Sequence, residues 1–104
     1  MNANEQTAVP GRGSALIFAQ RMEAKLARNS RKGGRGNWLN TRVSVLLDRL
    51  LDEVIELEGE LEKHPGPPGE GPKEHAEAVA NECADVANFA MMIADWYLER
   101  AKVL

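Results

Sequence analysis

Apolar side chains recur at helical spacing in three separate stretches of the chain. In the most regular stretch, residues 43–63, they follow one another mostly at intervals of three or four residues, which places them on one face of an amphipathic helix. They are Val43, Leu46, Leu47, Leu50, Val54, Leu57 and Leu61. We expect Asn40 or Thr41 to cap the start of this helix and Lys63 to lie near its end.

The N-terminal part of the chain is predicted to form an arm and a shorter helix. Residues 1–13 contain a proline, two glycines and few apolar side chains, so we interpret them as a flexible arm ahead of a helical domain of residues 14–104. Ser14 can cap a first helix, whose narrow apolar stripe recurs every four residues. The stripe consists of Phe18, Met22 and Leu26. The glycine-rich, basic segment 29–37 is predicted to be a loop.

A turn separates the second helix from a third. Residues 64–72 hold four of the five prolines and three glycines, which cannot continue a helix. Residues 73–102 contain neither glycine nor proline and are rich in alanine, so they are predicted to be helical. No stretch alternates between apolar and polar residues for long enough to predict a strand. The pattern therefore predicts an all-α fold, with a long helical hairpin plus a short N-terminal helix.

Composition limits the class of protein further. At 104 residues the chain forms at most one domain, and it has no apolar run long enough to cross a membrane. The N-terminus lacks the pattern of a secretory signal, so we expect a cytoplasmic protein. Cys83 is the only cysteine, which excludes an internal disulfide and a thiolate zinc site.

Charge is distributed unevenly along the chain. Residues 1–42 carry eight basic and two acidic side chains, whereas residues 43–104 carry five basic and fourteen acidic ones. An acidic half that binds cations and a basic half that meets phosphates would suit a nucleotide enzyme, although solvated helix faces give the same composition. The acidic long helices and the net charge of −3 weigh against stable nucleic-acid binding.

Two pairs of acidic residues lie on the long helices. Glu53 and Glu56 lie along one flank of the apolar stripe of the second helix, where solvated acids are also common. Glu82 and Asp85 share the side of the third helix that carries its large apolar side chains. Because acids are almost never buried unless they are paired, this second pair needs a cationic partner.

A divalent cation is the simplest partner for these carboxylates. Facing one another across a hairpin, they would repel by about 4 kcal/mol per close pair at an effective dielectric constant of about 20. Between residues 43 and 97 the only basic side chains are Arg49, Lys63 and Lys73. Oxygen ligands without a nearby Cys or His favour Mg²⁺, with Mn²⁺ as an alternative, over zinc or copper. A di-iron site would use Glu-x-x-His pairs, and neither histidine lies three residues after a glutamate.

The two acid pairs also carry a resemblance to a known family. Glu53-Val-Ile-Glu56 and Glu82-Cys-Ala-Asp85 resemble the Glu-x-x-Glu and Glu-x-x-Asp pairs of the MazG-like all-α nucleoside triphosphate pyrophosphohydrolases, which also include dimeric dUTPases and dCTPases. The glycines before Trp38 and the alanine-rich run 84–95 are similar to small phage and bacterial members. The resemblance implies Mg²⁺-dependent hydrolysis of a nucleoside triphosphate, NTP or dNTP, to the monophosphate and pyrophosphate.

Roles for individual residues follow from this resemblance and from the chemistry of a triphosphate. We expect Glu53, Glu56, Glu82 and Asp85 to be the catalytic set that binds Mg²⁺, with one of them able to orient the attacking water. Surface acids or interhelical hydrogen-bond partners are the structural alternative.

Three further residues are candidates for substrate binding. Lys32, with Arg31 and Arg35 nearby, is either a phosphate clamp or part of a solvated basic loop. Trp38 either stacks on a base or packs against the start of the second helix. Asn88, one turn after Asp85, either contacts sugar or base or is solvated.

The apolar surface of the third helix predicts self-association, because three helices cannot cover all of it. We expect a homodimer or homotetramer in which two hairpins form a four-helix bundle, as the resembled family does. The alternative function is that of a non-catalytic helical interaction protein of phage or plasmid origin, in which the acids are only surface charge.

Overall fold

The computed structural model describes residues 10–29 and 34–102, and every regular element in these residues is an α-helix. The helices are α1 (Arg12–Arg28), α2 (Gly34–Leu39), α3 (Val43–Glu62) and α4 (Lys73–Ala101). The predicted all-α class is confirmed, as are the two long helices and a first helix ahead of them. Assembly into a four-helix bundle stays a prediction.

Helix α4 is the central element of the chain. Helix α3 packs antiparallel to it along the hairpin, and α1 and α2 also pack against it. Few side chains are fully buried: Leu46 of α3 and Ala84 of α4 are the buried apolar residues among those described. The small Ala84 side chain lets a neighbouring helix approach closely at the level of the acidic pair on α4.

The turn between α3 and α4 follows the predicted proline and glycine pattern. The Glu70 N–H donates to the Pro67 carbonyl at 3.2 Å, which closes a four-residue turn. Gly69 has a φ of 85°, and Pro68 precedes it. Proline followed by a glycine of positive φ is the sequence signature of a type II turn. The turn ends at Pro72, whose extended backbone precedes the first residue of α4.

The predicted helix caps were wrong. Helix α1 begins at Arg12 after Gly11, so Ser14 lies inside its first turn, and Arg12 and Gly13, which were assigned to the arm, are helical. Residues 1–9 of the predicted arm lie outside the described residues. Helix α3 is preceded by Arg42 and has no side-chain cap. Asn40 Nδ2 donates to the Gly36 carbonyl at 2.8 Å, and Thr41 Oγ1 donates to the Asn37 carbonyl at 2.7 Å. These two side chains therefore complete the end of α2 instead of starting α3.

Helix α2 was not predicted, and its residues 34–37 belong to the segment 29–37 that was expected to be a loop. Its anchor is Asp95 on α4: Arg35 donates two hydrogen bonds of 2.9 Å to the Asp95 carboxylate, and Trp38 Nε1 donates another of 2.9 Å. Arg35 also pairs with Glu99 at 2.9 Å. Arg35, expected beside a phosphate clamp, is therefore held by acids of α4.

Several large apolar side chains of α3 face solvent. Leu47, Leu51 and Ile55 are 48%, 52% and 66% exposed and form a ridge at intervals of four residues, which we call the apolar ridge. None of the helices described, α4 included, is apolar over a long enough window to span a membrane.

Candidate functional site

Three of the four predicted acids come together between α3 and α4. Glu53 of α3 and the pair Glu82 and Asp85 of α4 each offer a carboxylate oxygen, and these three oxygens lie within 4.8 Å of one another. We call these residues the acidic cluster. The spacing of three residues puts Glu82 and Asp85 on one side of α4, and hairpin packing brings Glu53 opposite them. All three side chains are partly buried.

Two oxygens of this cluster have no hydrogen-bond partner. Glu53 Oε2 and Glu82 Oε2 each expose less than 1 Å² and accept no hydrogen bond from the described residues. Leaving a buried acceptor unsatisfied costs about 1–3 kcal/mol, and more when the group is charged. The arrangement is therefore one that a bound cation would stabilise.

Burial and mutual repulsion raise the pKa values of Glu53 and Glu82. Burial is the main cause that raises the Glu53 pKa from 4.5 to about 7, followed by a hydrogen bond with Glu56 and by the charges of Glu56, Asp85 and Glu82. The Glu82 pKa is also raised, again mainly by burial and then by neighbouring acids. Both shifts mean that burial, and then the neighbouring acids, disfavour the charged carboxylates, an effect that a bound cation would oppose.

Glu56, the fourth predicted acid, lies at the edge of this arrangement. Its side chain is exposed, and it is not one of the three residues whose oxygens converge. It remains close enough to Glu53 to share a hydrogen bond with it. Glu56 is thus the solvent-facing neighbour of the acidic cluster.

Lys25 of α1 supplies a cation that sequence reasoning missed. Its Nζ lies 3.1 Å from Asp85 Oδ2, and the two side chains are only 20% and 23% exposed. Its positive charge lowers the pKa of Glu82, against the effect of burial. The expectation that the bases near these acids come from residues 43–97 was wrong, because Lys25 lies on α1. The available signal was that Lys25 lies seven residues after Phe18, on the inner face of α1.

A pocket of about 500 Å³ opens beside the acidic cluster. Asp85 belongs to both, so a molecule in the pocket would lie next to the carboxylates. The pocket wall combines apolar, aromatic and amide side chains with one guanidinium group. Among the residues that line it are Asn37, Trp38, Arg49, Asn88, Phe89 and Met92. Such a wall is typical of small-molecule sites.

The predicted substrate-binding residues divide into two cases. Trp38 lines the pocket from α2 and is fixed in place by its bond to Asp95. Asn88 also lines it, and at 4% exposure it is buried and not solvated. Its Nδ2 donates to the Met22 carbonyl at 3.2 Å, while its Oδ1 has no partner among the described residues. Lys32 lies outside the described residues.

The chemistry of the cluster fits a hard divalent cation. Its ligand atoms are carboxylate oxygens alone, which suit Mg²⁺ or Mn²⁺ better than a metal that prefers nitrogen or sulfur. The unsatisfied Glu53 Oε2 and Glu82 Oε2 are the atoms that would gain most from it. Glu53, Glu82 and Asp85 would hold the ion, with Glu56 able to join them from the solvent side.

Comparison with known proteins gives no relative for this chain: no family model, curated protein or solved structure matches it. What supports a function is therefore the geometry of its own carboxylates and pocket, together with the spacing of the two acid pairs.

Proposed function

We propose that the protein is a Mg²⁺-dependent hydrolase that converts a nucleoside triphosphate, NTP or dNTP, to the monophosphate and pyrophosphate. The observation that carries the proposal is the convergence of Glu53, Glu82 and Asp85 at the edge of a pocket that Asp85 itself lines. The resemblance of the two acid pairs to those of the MazG-like enzymes supports the same reaction. A metal site beside an amphipathic pocket suits a ligand with a charged and a planar part.

The pocket suits the base and sugar of such a substrate. Trp38 and Phe89 offer aromatic surface, and Met92 adds an adaptable apolar contact. Asn88 also lines the pocket, and its Oδ1 is an acceptor without a partner among the described residues. Because this oxygen exposes less than 1 Å², the side chain would have to shift to bring it to a donor on the base or sugar. Arg49 places positive charge at the same wall, where it can meet a phosphate.

The carboxylates divide between binding and proton transfer. A Mg²⁺ ion held by the acidic cluster would neutralise phosphate charge and lower the pKa of a bound water. Glu56 is open to solvent, so it is the acid best placed to accept a proton at its carboxylate and release it to bulk water. Lys32 is proposed to contact the phosphates from the basic segment before α2.

We also propose that the active form is a homodimer or homotetramer. The apolar ridge of α3 is exposed in the single chain, and a second hairpin packed against it would form a four-helix bundle.

The proposal is tested first by a substrate screen. The purified protein is incubated with Mg²⁺ and each common NTP and dNTP, and released pyrophosphate is measured. We expect at least one nucleotide to give pyrophosphate and monophosphate in equal amounts, with no release in a chelator. Release of orthophosphate instead of pyrophosphate would show that the protein cleaves a different phosphate bond and would contradict the proposal.

Substitution of the acids tests the assignment of the site. Glu53→Gln or Asp85→Asn is expected to reduce pyrophosphate release by roughly 100-fold or more, as loss of a catalytic electrostatic group does. Glu53→Gln should stay folded, since it removes a charge from a repulsive cluster. Asp85→Asn also loses the ion pair with Lys25, so circular dichroism is used to check that this variant is folded before its activity is compared. Asp52→Asn is the matched control, because Asp52 is exposed on α3 beside Glu53 and is not part of the cluster. Full activity in Glu53→Gln and Asp85→Asn would refute the assignment.

Metal binding also distinguishes the proposed enzyme from the alternative, a non-catalytic helical interaction protein. A ligand that binds only the folded state raises the melting temperature, Tm, in proportion to the logarithm of its concentration. A helical interaction protein whose acids are surface charge would show no such rise at millimolar Mg²⁺.

A further inference from the structure

Lys25 brings a positive charge to the edge of the acidic cluster. Its ammonium group comes from α1, across the helix packing, and approaches Asp85 Oδ2 to 3.1 Å. Asp85 is one of the three acids whose oxygens converge. The Lys25 charge also acts on Glu82, the second acid of the α4 pair. The lysine therefore pairs with Asp85 and also partly neutralises Glu82.

The ammonium group is suited to replace a metal ion only in part. It is a compact positive charge with three donors, but it carries one charge where a divalent ion carries two. This is consistent with Glu53 Oε2 and Glu82 Oε2, which have no partner in the part of the chain that the structure describes although Lys25 is close to the cluster. The cluster is thus partly neutralised from within the chain.

We propose that Lys25 is a tethered cation that occupies the acidic cluster in the metal-free protein and must leave Asp85 before a divalent ion can bind there. The inference rests on the proposed metal site. Two cations cannot share the same Asp85 carboxylate in a partly buried site without strong repulsion. Metal binding at this site is therefore an exchange of one cation for another.

Two consequences follow for the protein. Its affinity for divalent ions is lower than four carboxylates would otherwise give, because part of the binding energy is used to displace Lys25. The metal-free protein is also more stable than it would be with an empty cluster, because Lys25 offsets repulsion between Glu82 and Asp85.

The test compares Mn²⁺ binding by the wild type and by Lys25→Met, measured from the electron paramagnetic resonance signal of free Mn²⁺. Methionine keeps most of the unbranched stem of lysine and removes its charge. We expect Lys25→Met to bind Mn²⁺ about tenfold more tightly than the wild type. In chelator the same variant should have a lower Tm, and added Mn²⁺ should restore it.

Arg21→Met is the matched control for the general effect of charge. Arg21 lies one turn before Lys25 on α1 and donates to Glu77 and Asn81 at 3.0 Å, neither of which belongs to the acidic cluster. Its loss should change Mn²⁺ affinity by no more than about twofold, since its charge is already paired with Glu77 and is partly screened by solvent. Lys25→Arg keeps the charge and should bind Mn²⁺ as the wild type does. Lys25→Gln serves as a second neutral variant if the methionine variant does not fold.

Each outcome decides the inference. Unchanged or weaker binding in both neutral variants overturns it, and so does an equal gain in Arg21→Met or Lys25→Arg. Absence of Mn²⁺ binding in the wild type and the neutral variants alike overturns both the inference and the proposed metal site. Tighter binding in the neutral variants supports the inference even if the nucleotide screen finds no pyrophosphate release, which would count against the proposed function alone.

Discussion

The individual acids of the cluster differ in their surroundings, and Glu53 is the most perturbed. It faces Glu82 and Asp85 across the hairpin and hydrogen-bonds to Glu56, so its nearest neighbours are carboxylates. With a pKa of about 7 it exists in both protonation states near neutral pH. A proton on Glu53 removes one of the charges that repel one another across the two helices.

This raised pKa predicts how stability changes with pH. Between pH 4.5 and 7 the folded, metal-free protein binds more protons than the unfolded chain, so its stability falls as pH rises through that range. The Glu82 shift has the same sign, whereas Asp95, with a pKa lowered to about 2, acts only in more acidic solution. After a discount for solvent screening we expect about 1 kcal/mol, or a Tm roughly 4–8 °C lower at pH 8 than at pH 5.

Calorimetry in chelator at these two pH values measures the difference. Glu53→Gln should reduce it, because glutamine does not titrate, and Asp52→Asn should leave it unchanged. With Mg²⁺ present the stabilisation by metal should grow with pH, since the ligands must be deprotonated. A Tm in chelator that rises from pH 5 to pH 8 would show that the repulsion is not the controlling interaction.

The acids could be found from the sequence, but their cation could not be found in the same way. Helical spacing alone places Glu82 and Asp85 together, since they are three residues apart. The contact between Lys25 and Asp85 joins residues of two helices that are far apart in sequence, and no local pattern specifies it. The position of Lys25 on the inner face of α1 indicates only that its side chain packs toward the other helices, and it does not identify Asp85 as the partner.

Among the elements, α2 depends on its tertiary contacts. It is six residues long and contains two glycines, and a helix this short is not stable in isolation. One of its C-terminal carbonyls is satisfied from α4, since Arg100 donates to the Leu39 carbonyl at 2.9 Å. Together with Asp95, which accepts from Arg35 and Trp38, these contacts hold α2 against α4.

Loss of this anchor should release α2 without unfolding the hairpin. Asp95→Ala removes the acceptor of both Arg35 and Trp38, so we expect the α2 amides to exchange hydrogen roughly tenfold faster or more. Protection in α3 and in the middle of α4 should be unchanged. Hydrogen exchange followed by mass spectrometry measures both regions.

Glu99→Ala is the control for this prediction, because it leaves the bonds of Asp95 to Arg35 and Trp38 in place. It should increase exchange in α2 much less than Asp95→Ala. Equal protection of α2 in Asp95→Ala and the wild type would mean that other contacts hold this helix.

The sequence predicts the helices that local pattern specifies and misses the helix that depends on tertiary contacts. Helices α3 and α4 follow from their own apolar spacing and from the proline and glycine turn between them, so local pattern is sufficient. The segment of α2 has low intrinsic helix propensity and becomes helical through bonds to α4. Asn40 and Thr41 were assigned to the start of α3 for the same reason, since the end of α2 was not foreseen.

At the scale of the whole molecule, a single chain leaves much of its apolar surface in water. Besides the apolar ridge, Leu16 and Ile17 of α1 and Tyr97 and Leu98 of α4 are more than half exposed. The fully buried apolar residues among those described are only Leu46 and Ala84. A small domain with so little core gains stability when a second chain covers its exposed faces.

The proposed assembly predicts a mass above that of one chain. Burial of each large aliphatic side chain of the apolar ridge contributes about 1.5–3 kcal/mol, and a symmetric interface buries each one twice. Light scattering at micromolar concentration should therefore give at least twice the 11.4 kDa of the chain.

Leu51→Glu, at the centre of the ridge, should shift the protein toward the monomer. Leu61→Glu introduces the same charge at an exposed leucine outside the ridge and should leave the assembly intact. A wild-type mass of one chain, with pyrophosphate release retained, would show that the single hairpin is the functional unit.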